Sequence, residues 1–325
     1  MTRKARLIIP GAVYHIMGRC LDHYSLFNTD SDREYFLQLI EYYLSNTNTA
    51  CYAWALMQTH YHLVLRSSDV PLCEIFKPLN MRYAAYHAKM YKKRGPLFMD
   101  RYKSIATQDQ NYLQELIRYV HLNPVRAGVC KNLKALERYP WSGHSALLGT
   151  IKRRFQDTDA VLRRFGSTTK QARQSYVQYL REATRAFSDV SHTALIELVR
   201  KSNAGVEAGR SPCCWVIGDP PFVEKAVHIA EARRLRINRF EQEGRRLDRI
   251  ISLVTKSCDI SQEDLRNRRR EGAASEARKL FAYICIKELH APSVTVSDIL
   301  GVGATAVYAL ARAGRVLFCA KNIVI

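Results

Sequence analysis

The first 107 residues switch between two hydrophobic periods, in an order that few folds accept. "AVYHIMG" (12–18), "CYAWALM" (51–57), "HYHLVLR" (60–66) and "RYKSIAT" (101–107) read as strands, apolar or alternating at strand length. "DSDREYFLQLIEYYLSN" (30–46) reads as a helix, with Asp30 as its N-cap and Phe36, Leu39, Ile40 and Tyr43 at helical spacing. A second helical region runs through "CEIFKPLNMRYAAYHAKMYKKRG" to Gly95, interrupted at Pro78. Gln58 and Thr59 supply the turn of a hairpin between the second and third strands. Strand, helix, strand, strand, helix, strand is the split βαβ plan. The expectation is an α+β fold with a ferredoxin-like antiparallel sheet backed by helices. One more helix is expected over 109–123, capped by Asp109 and ended by Pro124, since the residue before a proline disfavours helical torsions.

From about residue 150 the texture becomes mainly helical, with basic clusters at Arg153/Arg154, Arg163/Arg164, Arg233/Arg234 and Arg268, Arg269 and Arg270. No strand alternation recurs, and "RSPCCWVIGDPPF" (210–222) is rich in turn formers and reads as a connector. The expected division is a mixed domain over 1–150, a helical connector region over 151–235 and a helical domain over 236–325. With 325 residues and 47% hydrophobic content there is material for several cores. The formal net charge of +20 attracts polyanions at long range and makes nucleic acid the expected partner. Nine scattered cysteines without any CxxC pair suggest neither a disulfide framework nor a cysteine zinc site. The basic then apolar N-terminus is broken by Pro10 and Gly11 and lacks a cleavage site, and no long apolar span or lipidation motif appears; the expectation is a cytoplasmic protein that does not engage a membrane.

Strand alternation sends His60, His62, Val64 and Arg66 to one face and Tyr61, Leu63 and Leu65 to the other. Two imidazoles on one face are compatible with a pair of half-buried histidines or with two ligands of a metal. On the last helix Leu113, Leu116, Ile117 and Val120 make the core stripe, which places Tyr119 on its flank. Asn123 follows one turn later on the same side. A phenol and an amide facing two imidazoles would set a nucleophile beside a metal; the same residues also suit an amphipathic tyrosine at a helix edge and an ordinary helix end.

Five pieces, "PGAVYHIMGR", "HYHLVL", "GPLFMDRYKS", "YLQELIRYVHLNPVRAG" and "YPWSGHSALLG", occur in an order and spacing that resemble the REP-associated tyrosine transposases, relatives of the small single-strand transposases of the HUH nuclease superfamily. The resemblance covers nearly half the chain. It implies that His60 and His62 hold a divalent metal, Mg²⁺ or Mn²⁺, that Tyr119 is the nucleophile, and that Asn123 adds a ligand. It implies cleavage and rejoining of single-stranded or hairpin DNA through a 5′-phosphotyrosine link. A phenol, with a pKa near ~10, needs such a metal to attack a phosphate at neutral pH. Two departures from the family pattern stand out: Tyr61 replaces a bulky aliphatic between the histidines, and "MQTH" replaces "MPNH" before the first. Near the site Arg101, Lys103 and Arg126 are candidates for phosphate contacts.

Farther on, "LRNRRR", "ARKLFAYI" and "TVSDILGVGATAVYALARAGR" are similar to the helical DNA-binding domain of the replication initiator DnaA. In the last piece Ile299 and Leu300 would pack the first helix of a helix-turn-helix, residues 301–303 would turn, and residues 305–312 would form the recognition helix on duplex DNA. "GATAV" stands where polar reading residues are expected. The alternative for the segment is a helical packing or oligomerisation module. For the whole chain it is a DNA-binding regulator without catalysis; an RNA-recognition domain of the same strand order ranks last, because its aromatic-glycine sheet motif is not evident. The sequence leaves the DNA target and the oligomeric state open.

Overall fold

Strand β1 (Val13–Arg19) lies between β3 (His60–Arg66) and β4 (Lys103–Thr107), and β2 (Ala50–Leu56) flanks β3. All four are antiparallel to their neighbours, in the order 2-3-1-4 that the split βαβ plan requires. A fifth strand, β5 (Trp215–Ile217), pairs parallel to β4. The structure is a computed structural model that describes residues 9, 11–68, 70–185, 215–242, 246–266, 272–289 and 291–321. Cys213, Cys214 and the basic run at 268–270 lie outside the described residues, as do the side chains of Arg233 and Arg234. The chain forms two units, residues 1–227 and 228–325.

In the first unit the sheet has a different helical layer on each face. Tyr61, Leu63 and Leu65 face α1 (Asp30–Ser45) and α2 (Leu72–Tyr91), with the Tyr61 ring 4.9 Å from Phe36 and 6.4 Å from Phe76. The hydroxyl of Tyr61 donates to Asn80 Oδ1 at 3.2 Å, so the polar atom in this otherwise apolar layer is satisfied. Space for the ring comes from β1: a Cβ on Gly18, directly opposite Tyr61, would lie 2.5 Å from its Cζ. A glycine is therefore required at 18 while tyrosine occupies 61.

The N-cap of α1 is Thr29 rather than Asp30. Thr29 Oγ1 accepts from the Asp32 N–H while the Asp32 carboxylate accepts from the Thr29 N–H, a reciprocal box that a carboxylate at 30 would not complete. Asp32 is fully buried and also accepts from Asn28 N, Tyr86 Oη at 3.0 Å and Tyr91 Oη at 2.6 Å, which ties α1 to α2. Burial alone would raise its pKa; the donors from Tyr91, Thr29, Asn28 and Tyr86 outweigh it and hold the carboxyl below its ordinary value. Helix α2 runs unbroken through Pro78, because one lost backbone hydrogen bond is offset by the burial of Leu72, Ile75, Phe76, Leu79 and Tyr83 along its face.

The opposite face of the sheet packs on α3 (Asp109–Arg126), through Leu113, Leu116, Ile117 and Val120 against Val13, Ala53, Ala55 and Val64. Two sequence expectations fail at its ends. The N-cap is Gln108, without a side-chain cap bond, since the Gln108 amide instead bonds Asp219 in both directions at 3.0 Å. Pro124 lies inside the helix, which continues to Arg126; in the last turn a proline removes only one donor, and Ala127 N still reaches Asn123 O at 2.9 Å. β5 is the third correction. Its three residues are too few to show a period, and the pairing depends on the Gln108–Asp219 clamp and on Gln108 N donating to Ile217 O at 2.8 Å.

Among the described residues this unit also holds α4 (Leu133–Glu137), α5 (Gly143–Leu148), α6 (Thr158–Leu162) and α7 (Thr169–Arg185), and α8 (Pro220–Gln242) begins in it. "YPWSG" covers the β2 edge: Leu56 N donates to Trp141 O at 2.9 Å, and Trp54 Nε1 to Gln156 Oε1 at 2.8 Å. Behind α3, Tyr176 Oη lies 2.7 Å from His121 Nδ1 and 2.8 Å from His144 Nδ1, all three residues being buried. Burial, and then His144, pushes the His121 pKa well below the usual range, and burial takes His144 down to about 4, so both rings are neutral.

The second unit holds α9 (Arg246–Cys258), α10 (Gln262–Arg266), α11 (Ala273–Tyr283) with a π-helical continuation over Ile284–Glu288, α12 (Ser293–Leu300) and α13 (Ala304–Ala320). Its core contains Val254, Leu265, Leu280, Phe281, Val296, Leu300, Val307 and Ala311. α11 and α13 approach closely at Gly314, where a Cβ would lie 2.8 Å from Tyr283 Cβ. Helices α12 and α13 are bent by 88° at the intervening turn, where Gly301 adopts a left-handed conformation. Among the described residues no single helix is long and apolar enough to cross a membrane.

Candidate active site

Register turns the strand alternation into a row of side chains. Met17 pairs with His62 on one side and Lys103 on the other, Arg19 pairs with His60, and His15 pairs with Val64. Ala55 pairs with His62 from β2. Directly paired residues share a face, so His15, Met17, Arg19, His60, His62 and Lys103 all lie on the side that α3 covers. Ala53 and Ala55 keep that side low beneath the helix.

His62 is 2% exposed and His15 is 1% exposed. Their rings stack at 5.0 Å, and His15 Nε2 lies 2.8 Å from His62 Nδ1. His60 is half-buried, with its ring perpendicular to His62 at 4.9 Å and its Nδ1 3.1 Å from Thr59 Oγ1. From α3, the Tyr119 ring meets both inner histidines edge to face, at 5.7 Å from His15 and 5.8 Å from His62. Tyr119 is 7% exposed, so it belongs to the α3 core as well as to its flank.

Two residues from the last turns of α3 bear on the phenol. Asn123 Nδ2 donates to the backbone carbonyl of Tyr119 at 2.8 Å, which holds its side chain along the same flank, and the Arg126 guanidinium carbon sits 5.0 Å from the ring centroid. Burial raises the Tyr119 pKa, while Arg126 and the Asn123 side chain pull against it. The net direction is upward, and the phenol is protonated at neutral pH. Burial lowers the Arg126 pKa, but a guanidinium keeps its charge under these conditions.

The structure thus brings Tyr119 of α3 against His62 of β3, with His60 beside His62 on the strand and Arg126 over the Tyr119 ring, while Asn123 lies one turn after Tyr119 on the same helix. Lys103 shares the sheet face and is exposed, with Met17 between it and His62. Arg101 is exposed in the turn before β4, where its N–H donates to Asp100 Oδ1 at 2.7 Å. Two residues on this face escaped the sequence reading, His15 and Arg19. Their alternation in "VYHIMGR" was visible; their neighbours across the sheet depend on a register that the sequence does not state.

Among the described residues no three His, Cys, Asp or Glu side chains gather into a metal-binding set. A divalent ion would have to rest on the imidazoles of His60 and His62 with the amide oxygen of Asn123. That set fits on one condition: His62 Nδ1 lies 2.8 Å from His15 Nε2 and His60 Nδ1 lies 3.1 Å from Thr59 Oγ1, and each imidazole can offer Nε2 to a metal only when its Nδ1 is the donor of that bond. The Asn123 amide nitrogen is likewise engaged, which makes its oxygen the donor atom.

The chain is similar to a solved REP-associated tyrosine transposase bound to a REP hairpin, at 15% identity and a TM-score of 0.40, over 49% of this chain and 90% of that one. No curated protein matches the chain. The family model described as IS200-like transposase matches residues 9–123, which take in β1 to β4, both histidines of β3, Tyr119 and Asn123.

Proposed function

We propose that the first unit cleaves and rejoins single-stranded or hairpin DNA, with Tyr119 as nucleophile. The observation that carries this reading is the Tyr119 ring held edge-on against His62 within one chain. In the proposed step the phenol oxygen attacks a backbone phosphorus, and the bond from phosphorus to the 3′ oxygen breaks. The phenol proton is lost and the departing 3′ oxygen gains one, leaving a 5′-phosphotyrosine and a free 3′-hydroxyl. The link keeps the phosphodiester energy, so a 3′-hydroxyl can reverse it as strand transfer.

His60, His62 and Asn123 would hold the divalent metal. Bound there, Mg²⁺ or Mn²⁺ would polarise the phosphate and offset its developing charge, with Mn²⁺ better matched to imidazole. Arg126 faces the phenol and favours its anionic form, both as attacking group and as leaving group on reversal. Packing of the ring against His15 and His62 restricts the phenol to few orientations before DNA arrives. Lys103 and Arg19, the latter ion-paired with Asp22 at 3.0 Å, lie on the same face, and Arg101 is exposed in the turn before β4; the three would supply positive charge for phosphates of the incoming strand.

The test is incubation of the protein with labelled hairpin-bearing single strands from its own gene's flanks, with Mn²⁺ or Mg²⁺, followed by denaturing electrophoresis. A covalent protein–DNA band is expected that disappears with chelator and returns with added metal. Binding without a covalent band under every metal condition would remove the catalytic reading in favour of a DNA-binding regulator.

The second unit would hold duplex DNA. The 88° bend between α12 and α13 lies near the angle of a helix-turn-helix, which supports this reading. The exposed side of α13 carries Arg315 among Ala306, Ala309, Ala313 and Val316, so its grip would fall on the phosphate backbone more than on base edges. Arg312→Ala combined with Arg315→Ala should weaken duplex binding roughly tenfold and reduce its salt dependence. Unchanged duplex affinity and salt slope would leave the unit as a packing or oligomerisation module.

A further inference from the structure

We propose that His15 is a positioning residue that fixes the tautomer of His62 and thereby aims its Nε2 at the metal. The inference rests on the metal reading above and assigns a role to a residue of β1 outside the ligand set. His15 is 1% exposed, its Nε2 is 2.8 Å from His62 Nδ1, and its ring stacks on His62 at an interplanar angle of 18°. A neutral imidazole carries one N–H. One ring must donate across this short contact and the other must accept.

If His62 donates from Nδ1, its lone pair is on Nε2 and that nitrogen can bind a cation. If His15 donates instead, His62 carries its proton on Nε2 and cannot be a ligand through that atom. Metal binding at His62 therefore requires His15 Nε2 to be the acceptor, with the His15 proton on Nδ1. In that arrangement the hydrogen bond does for His62 what an outer carboxylate or carbonyl commonly does for a metal-bound histidine, with the difference that an imidazole can also donate, which is why the tautomer itself is the quantity to measure. Thr59 Oγ1 occupies the same place for His60, at 3.1 Å from its Nδ1.

His15 also touches the other half of the site. Its ring meets Tyr119 at 5.7 Å and 76°, close to the 5.8 Å and 89° between His62 and Tyr119. One buried side chain thus packs against both the His62 imidazole and the phenol, which also touch each other. No acid–base role is needed from it, and no contact with DNA.

The test uses the full chain in three forms: wild type, His15→Phe, which keeps a stacking ring but has no acceptor, and His15→Gln, whose amide oxygen can take the place of Nε2. Nitrogen-15 NMR of the histidines reads the His62 tautomer without metal, and calorimetric titration with Mn²⁺ reads affinity. In the wild type His62 should be protonated on Nδ1. In His15→Phe that preference should be lost and the Mn²⁺ dissociation constant should rise about 10- to 100-fold. His15→Gln should restore most of both.

An Nε2-protonated His62 in the wild type overturns the proposal, as does His15→Phe folded by circular dichroism with an unchanged tautomer and Mn²⁺ affinity. If His15→Phe does not fold, the wild type and His15→Gln still decide the matter through the tautomer. If the wild type shows the Nδ1 tautomer yet takes up no Mn²⁺, the metal reading falls and the role of His15 toward the metal falls with it. A wild-type Nε2 tautomer with Mn²⁺ bound would leave the metal reading standing and sink this one alone.

Discussion

Tyr119→Phe should abolish the covalent protein–DNA adduct, with a loss of at least ~10³-fold in cleavage rate, while DNA binding stays within about twofold. The substitution removes one oxygen atom and nothing else that the site uses for shape. A phenylalanine ring keeps the edge contacts to His15 and His62 and the Arg126 guanidinium over its face. The fold should be unaffected, because the hydroxyl is taken from a ring that is already buried in the α3 core. Electrophoresis of labelled hairpin strands reads the adduct, and filter binding of the same strands reads the affinity. Persistence of the adduct in Tyr119→Phe would reassign the nucleophile. Loss of binding together with the adduct would mean that the phenol contributes to DNA affinity, contrary to its placement against the histidines.

Asp32→Asn should cost about 3 kcal/mol of stability, far from the site and without changing its chemistry. The carboxylate is buried and accepts from two backbone N–H groups and the hydroxyls of Tyr86 and Tyr91. An amide has one acceptor oxygen, and its NH₂ would face donors. The pH dependence follows from the sign of the shift. The folded-state carboxyl is held below its unfolded value, so its stabilisation is fully present above about pH 4 and is lost as pH falls through the lowered folded-state pKa. Denaturant melts of the wild type should therefore weaken through this acid range, and Asp32→Asn should flatten that part of the curve. Equal acid sensitivity in both proteins would show that Asp32 is not the group responsible.

The elements that the sequence displays are those whose signal is local. The period of β3 put His60 and His62 on one face, and the turn of α3 put Asn123 beside Tyr119, because both depend only on torsions within one segment. What escaped depends on partners far along the chain. His15 gains its meaning from His62, 47 residues away, through a register that the turn at 57–59 and the α1 and α2 layer fix together. Trp215, Val216 and Ile217 become a strand only because Gln108 and Asp219 clamp them to β4. Asp30 lost the cap to Thr29 by one position, since the box with Asp32 counts from the threonine. Pro124 gave a true local rule whose cost in the final turn was too small to end α3. In the second unit the helix bounds around 300–304 follow the glycines at 301 and 303, whereas the recognition segment expected over 305–312 is part of a helix that runs on to Ala320.

Gly18 and Tyr61 constrain one another's history. With the tyrosine ring lying where a Cβ of residue 18 would be, any side chain at 18 is shut out until 61 has become smaller. The reverse order is open: Tyr61 can shrink over Gly18 at the cost of a cavity and an unpaired Asn80. A lineage leaving this arrangement would then change 61 first and 18 second, and one arriving at it would have acquired the glycine before the tyrosine.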